Sequence, residues 1–175
     1  MHMSAFVALL AFAVVPCLCH KRLEWPTARS TNLGPNSNAP CGGVSFARAY
    51  AQNLITDLQA GSDIEIIIYE QAFHSEQPMR LAISGENNED FDCILLNHIP
   101  QHTRNTGNRN LTIPLTVPDF TCKNCTLQLM AFETGGQTDD NCCAYTNNDT
   151  KTCALRQYYS CANININGGS RKRSD

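Results

Sequence analysis

No stretch of this sequence is apolar for long enough to cross a bilayer comfortably. The longest apolar run, residues 4–18 (S-A-F-V-A-L-L-A-F-A-V-V-P-C-L), carries no charge and falls short of the roughly 20 residues that a membrane span requires. Ahead of it there is His2 but no Lys or Arg, so the basic start typical of a signal peptide is weak. A strong charge of either sign is also missing. The formal net charge is −3, which gives no reason to expect nucleic acid as a partner. There is no internal repeat, no low-complexity segment and a single Trp, Trp25. Cys122-Lys-Asn-Cys125 has no second CxxC to complete a four-cysteine zinc site, and that weakens a zinc reading.

What is present points to secretion. The run over residues 4–18 has the length of a signal-peptide core. Cys17 and Cys19 place small residues at −3 and −1 of a cut between Cys19 and His20. A lipid attached near Cys17 or Cys19 is the alternative. With the cut, residues 1–19 are the leader, residues 20–168 form one domain and residues 169–175 are a polar tail without a hydrophobic anchor signal. His20 becomes the first residue, with a free α-amine. Of ten cysteines, eight lie beyond the leader: Cys41, Cys93, Cys122, Cys125, Cys142, Cys143, Cys153 and Cys161. An even set in a short secreted chain reads as a disulfide framework, though eight cysteines allow 105 pairings. Asn110-Leu-Thr, Asn124-Cys-Thr and Asn148-Asp-Thr are N-glycosylation sequons. The mature chain of about 156 residues suits a single domain with a core, expected to be a secreted, extracellular monomer free of membrane.

The segment patterning is that of short strands. Asp63–Tyr69, Met79–Ser84, Asn110–Val117, Cys125–Phe132 and Ala162–Asn167 are β-branched or alternate apolar with polar. Pro114 suggests an edge position for its strand. Residues 20–45, with Pro26, Gly34, Pro35, Pro40, Gly42 and Gly43, read as a long ordered loop pinned by Cys41. Residues 46–59 allow either a short helix or a direct lead into strands, and the stretch between Glu133 and Arg156 reads as a polar loop. The expected fold is an all-β, immunoglobulin- or fibronectin-like antiparallel β-sandwich with long disulfide-stapled loops.

A histidine at position one offers a ring nitrogen and an amine from one residue, and together they chelate a metal. A second imidazole completes a T-shaped set of three nitrogens, which suits Cu(II) better than zinc or calcium. His74, His98 and His102 are the candidates. His74 lies at a turn between two expected strands; His98 and His102 lie in the polar connection N-H-I-P-Q-H-T-R.

Several separated motifs carry a resemblance. H-K-R-L-E-W-P-T-A-R from His20 and P-C-G-G at 40–43 resemble the mature N-terminus of lytic polysaccharide monooxygenases. The Asp63–Ile83 region is similar to their segment bearing the second histidine. V-P-D-F-T-C-K-N-C-T-L-Q-L at 117–129 and Q-Y-Y-S-C-A-N-I-N-I at 157–166 resemble two of their strands. The resemblance implies one copper ion, Cu(II)/Cu(I), held by the amine and Nδ1 of His20 and by Nε2 of His74. It implies an axial Tyr158, with Tyr159 as its rival. These would be both the metal ligands and the catalytic residues. Arg156 or Gln157 would supply a polar group beside the copper, and Cys41 would bond Cys161. The implied activity is oxidative cleavage of a polysaccharide such as chitin or cellulose, using an external electron donor with O2 or H2O2. Three departures stand out. Ser75-Glu76-Gln77-Pro78 replaces small residues after the second histidine, Asn163 stands where Asp is common, and no carbohydrate-binding module is attached. Trp25 reads as local packing in preference to a sugar platform.

The alternative is a copper-acquisition protein of the same fold, with copper as cargo. Such proteins resemble this chain in the starting His and the Pro-Cys-Gly-Gly motif, and Glu76 or Asp92 could imitate their added acidic ligand. A third reading, a metal-free partner-binding domain, requires His20 to be internal or blocked.

Overall fold

The architecture follows from which faces of the strands are apolar. The computed structural model describes residues 21–30, 39–45, 54–71, 79–100, 109–133 and 156–168. Among them are eight strands and no helix: β1 (Lys21–Trp25), β2 (Ile55–Gln59), β3 (Asp63–Glu70), β4 (Met79–Ile83), β5 (Cys93–Ile99), β6 (Arg109–Thr116), β7 (Cys122–Glu133) and β8 (Arg156–Asn167). They form a three-stranded sheet, β1-β3-β6, and a five-stranded sheet, β2-β8-β7-β4-β5. The chain is an all-β sandwich, as its alternating segments imply.

In β3 the even positions face inward. Ile66 and Ile68 are fully buried, and Asp63 and Glu65 are exposed. β6 pairs with β3 so that Leu115, Ile113 and Leu111 lie opposite Ile64, Ile66 and Ile68. Pro114 sits on the outward side of β6, the edge strand of this sheet, where its missing N–H costs least. The facing sheet contributes Met79, Leu81, Ile83, Cys125, Leu127, Leu129, Ala162, Ile164 and Ile166 to one core. Each fully buried Leu or Ile contributes about 1.5–3 kcal/mol relative to exposure.

Three elements differ from the sequence reading. Residues 21–25 form β1, where an ordered loop was expected. Its Lys21 is buried only because Glu70 lies opposite in the ladder, a pairing that no local pattern announces. Ile55–Gln59 is a strand, and it pairs with β8 in parallel, the one departure from an antiparallel sandwich. β5 includes His98, expected in a connection. β5 lies at the sheet edge and is mostly exposed, so it shows no clean alternation.

β2 passes to β3, and so from one sheet to the other, through residues 60–62. Gly61 has φ 72°, a conformation that favours glycine. Its N–H donates to Val117 O at 2.9 Å, and Ala60 N–H donates to Asn167 O at 2.9 Å. The outer face of the five-stranded sheet is also covered. β4 is buried at every position, which explains its lack of polar alternation. Cys41 bonds Cys161, and Gln128 Nε2 donates to Pro40 O at 2.8 Å. Cys122 and Cys125 are bonded to each other across a register shift in β7.

Candidate metal centre

One end of the sandwich gathers the chain positions that matter. The β1–β3 ladder begins at Lys21↔Glu70. The residue ahead of β1 is His20, and the segment after β3 carries His74. The start of β1 and the end of β3 therefore mark this end. In the facing sheet the corresponding row is Met79–Ala131–Tyr158, across β4, β7 and β8. The two sheets are tied near it, where Leu23 N–H donates to Ser160 Oγ at 3.0 Å. The opposite end holds the Gly61 corner and the Ile83↔Cys93 pair.

Tyr158 and Tyr159 point to opposite faces, as strand alternation demands. Tyr158 shares the inward row with Met79 and Ala131 and is half-buried against the core. Tyr159 shares the outward row with Arg80 and Met130. It is buried there. Burial raises its hydroxyl pKa, and the charge of Arg80 opposes that rise.

His20, His74, His102, Glu76 and Asn148 lie outside the described residues. The side chains of Arg156 and Gln157 do as well. His98 is exposed on β5, three strands from β8 and so about 14 Å from Tyr158. Asp92 precedes the Ile83↔Cys93 pair at the far end. The geometry does not bring it to Tyr158, which corrects its candidacy as an acidic ligand. Among the described residues no three His, Cys, Asp or Glu side chains come together as a metal site. The described strands bring the start of β1, the end of β3, the start of β4 and Tyr158 to one end.

Two charged groups that the sequence reading missed frame this end and the sheet behind it. Lys21 Nζ lies 3.3 Å from Glu70 Oε1, with both side chains buried, and Arg109 Nε lies 3.9 Å from Glu70 Oε2. They form one inward row at the start of β1. The available signal was parity: Glu70 shares the phase of Ile66 and Ile68, and Lys21 that of Leu23. On the outer face of the other sheet, Arg29 is 4% exposed. It donates to Asn163 Oδ1 at 2.6 Å, Thr126 Oγ1 at 2.6 Å and Val44 O at 3.2 Å, and it pairs with Glu89. Burial lowers its pKa, against the bond and charge of Glu89. With the Ala28↔Ala162 bridge, this network fixes the chain as it crosses from one sheet to the other after β1.

The eight described strands and the Cys41–Cys161 bond place the chain in the class of disulfide-stapled all-β sandwiches. Within it, the chain belongs to the family described as copper acquisition factor BIM1-like, which it matches over residues 19–175. Membership implies copper binding. It supports copper-related chemistry and does not single out the polysaccharide monooxygenases. No curated protein matches the chain.

Proposed function

We propose that this protein is a secreted copper-acquisition domain that takes one copper ion as cargo. The ion would be held by the α-amine and Nδ1 of His20 and by Nε2 of His74, with Tyr158 close to it. The observation that carries the reading is the convergence at one pole of the start of β1, the end of β3, the start of β4 and Tyr158. The family match supports copper as the ion and begins at residue 19, beside His20. In this reading the leader is cut after Cys19, and the mature chain works as a monomer without membrane or nucleic acid.

The family favours cargo over oxidation, so the polysaccharide-cleaving reading takes second place. It would need a polysaccharide, an electron donor and O2 or H2O2. Copper would be the cargo there, and the chain's own part is to supply the nitrogen donors and to fix them. β1 is anchored through Lys21–Glu70, and the crossing after it is anchored through Arg29.

Electron paramagnetic resonance of N-terminally sequenced protein with one equivalent of Cu(II) tests the site. A type 2 signal with nitrogen couplings is expected, lost in His20→Ala and in His74→Ala. Histidine-independent binding, or a chain that does not start at His20, overturns it. No oxidised oligosaccharide should form from chitin or cellulose with reductant and O2 or H2O2; robust formation would restore the monooxygenase.

A further inference from the structure

We propose that Asn110 carries an N-linked glycan whose first sugar packs on Tyr69 and Ile67 and covers the outer face and free edge of the three-stranded sheet. Of the three sequons, only Asn110-Leu-Thr has both its asparagine and its threonine exposed on a described strand. Asn110 and Thr112 share the outward face of β6. β6 is the edge of its sheet, so nothing among the described strands lies beyond it.

The sequon Asn124-Cys-Thr is placed differently. The Asn124 amide nitrogen donates to Asn87 Oδ1 at 3.1 Å. Thr126 is fully buried and accepts from Arg29, and Cys125 is bonded to Cys122. Asn148 lies outside the described residues.

The neighbours of Asn110 suit a sugar. Tyr69 is its direct partner in the antiparallel ladder, and Ile67 is the partner of Thr112. Such partners hold their Cβ atoms about 4.5–5.5 Å apart. Both are half-buried, an apolar strip on an otherwise polar face with Asp63, Glu65 and Thr116. The Arg22 guanidinium, from the β1 side, lies over the Tyr69 ring at 4.5 Å from its centre and covers one of its faces, while Asn110 is the partner of Tyr69 on the β6 side. A pyranose has one face of C–H groups that can lie on an aromatic ring and displace water from it. The glycan also shields the side of β6 beyond which no described strand lies, an edge of the kind that can template association.

In the transfer, the Asn110 amide nitrogen gives up one proton and bonds to the anomeric carbon of a lipid-pyrophosphate-linked oligosaccharide. The C1–O bond breaks, and the lipid pyrophosphate leaves. This site is independent of how copper is held, so it can fail or stand alone.

The test is glycopeptide mapping of the full chain secreted from a eukaryotic host, with another glycoprotein as control. The peptide containing Asn110 should carry the glycan, and Asn110→Gln and Thr112→Ala should each remove it. Asn110→Gln should lower Tm by about 2–4 °C, the shift expected for roughly 1 kcal/mol in a chain of this size. In a Tyr69→Ser background that difference should vanish. In protein from a host without N-glycosylation, Asn110→Gln should leave Tm unchanged. An unmodified Asn110 peptide beside a glycosylated control overturns the proposal. So does an equal Tm shift with and without Tyr69.

Discussion

Arg29 gathers a backbone carbonyl and three side chains around one guanidinium, and most of that cluster is dry. Asn163 and Thr126 are fully buried, so removing the donor leaves them without its hydrogen bonds and leaves Glu89 without its counter-charge. Breaking a buried pair in this way costs about 3–5 kcal/mol. Arg29→Met should therefore lower the urea midpoint strongly at unchanged m-value. A drop below about 1 kcal/mol would show that the network adds little. Asn163 has a second, opposite property. Its Nδ2 is buried with no hydrogen-bond partner among the described residues, while its Oδ1 accepts from Arg29. Asn163→Asp removes the unsatisfied donor and makes the bond charge-assisted, so a gain of about 1 kcal/mol is expected in the same titration. Tyr159 adds a pH dependence. Its pKa is raised above the ordinary 10.0 by burial, partly offset by Arg80. The unfolded chain then releases this proton at lower pH than the folded protein does. The stability tied to Tyr159 is complete below pH about 10 and is lost as pH rises through the folded value. Thermal melts across pH 9–11 should show a steeper decline for the wild type than for Tyr159→Phe. Equal slopes would mean that Tyr159 does not contribute.

At the scale of elements, Cys41–Cys161 ties the 39–45 segment to β8 across 120 residues of chain. In the chain-entropy picture a closed loop of that length is worth about 4–5 kcal/mol through the unfolded state. The double variant Cys41→Ser/Cys161→Ser should lose about that much in equilibrium unfolding. The buried pocket of Phe91, Ala82 and the disulfide makes part of the loss local packing. The strands themselves were unequally legible. β3, β6, β7 and β8 were readable because one face is apolar at every second residue, and Pro114 marked β6 as an edge correctly. β4 was readable from its apolar content alone, since both faces are covered. β1 was not, because its inward Lys21 requires Glu70, 49 residues away in sequence. β5 was not, because an exposed edge strand has no apolar phase to follow. The parallel β2–β8 pairing is a tertiary choice, fixed by the corner at Gly61 and the Ala60–Asn167 hydrogen bond.

For the whole molecule, the proposed donors His20 and His74 can be named along the chain, while the pole that strand register builds cannot. A histidine at the expected mature start and another between two strands can be read along the chain. That the start of β1, the end of β3, the start of β4 and Tyr158 share one pole depends on register between strands far apart in sequence. With copper held as proposed, its binding should couple to the stability of the entire sandwich, because the proposed donors flank strands of both sheets. A ligand at 100 times its dissociation constant stabilises by about 2.7 kcal/mol, which corresponds to a Tm rise of about 5–11 °C at this chain length. The rise should need an unblocked amine. Two residues added ahead of His20 keep both imidazoles but displace the amine, and they should remove most of the shift, as should His74→Ala. The rise should also fade below pH about 6, where the imidazoles and amine hold protons that copper must displace. Melts with and without Cu(II), at pH 5 and pH 7, on the native and extended chains, decide the matter. A copper shift that survives the extension would place the ion at a site not built on the terminal histidine.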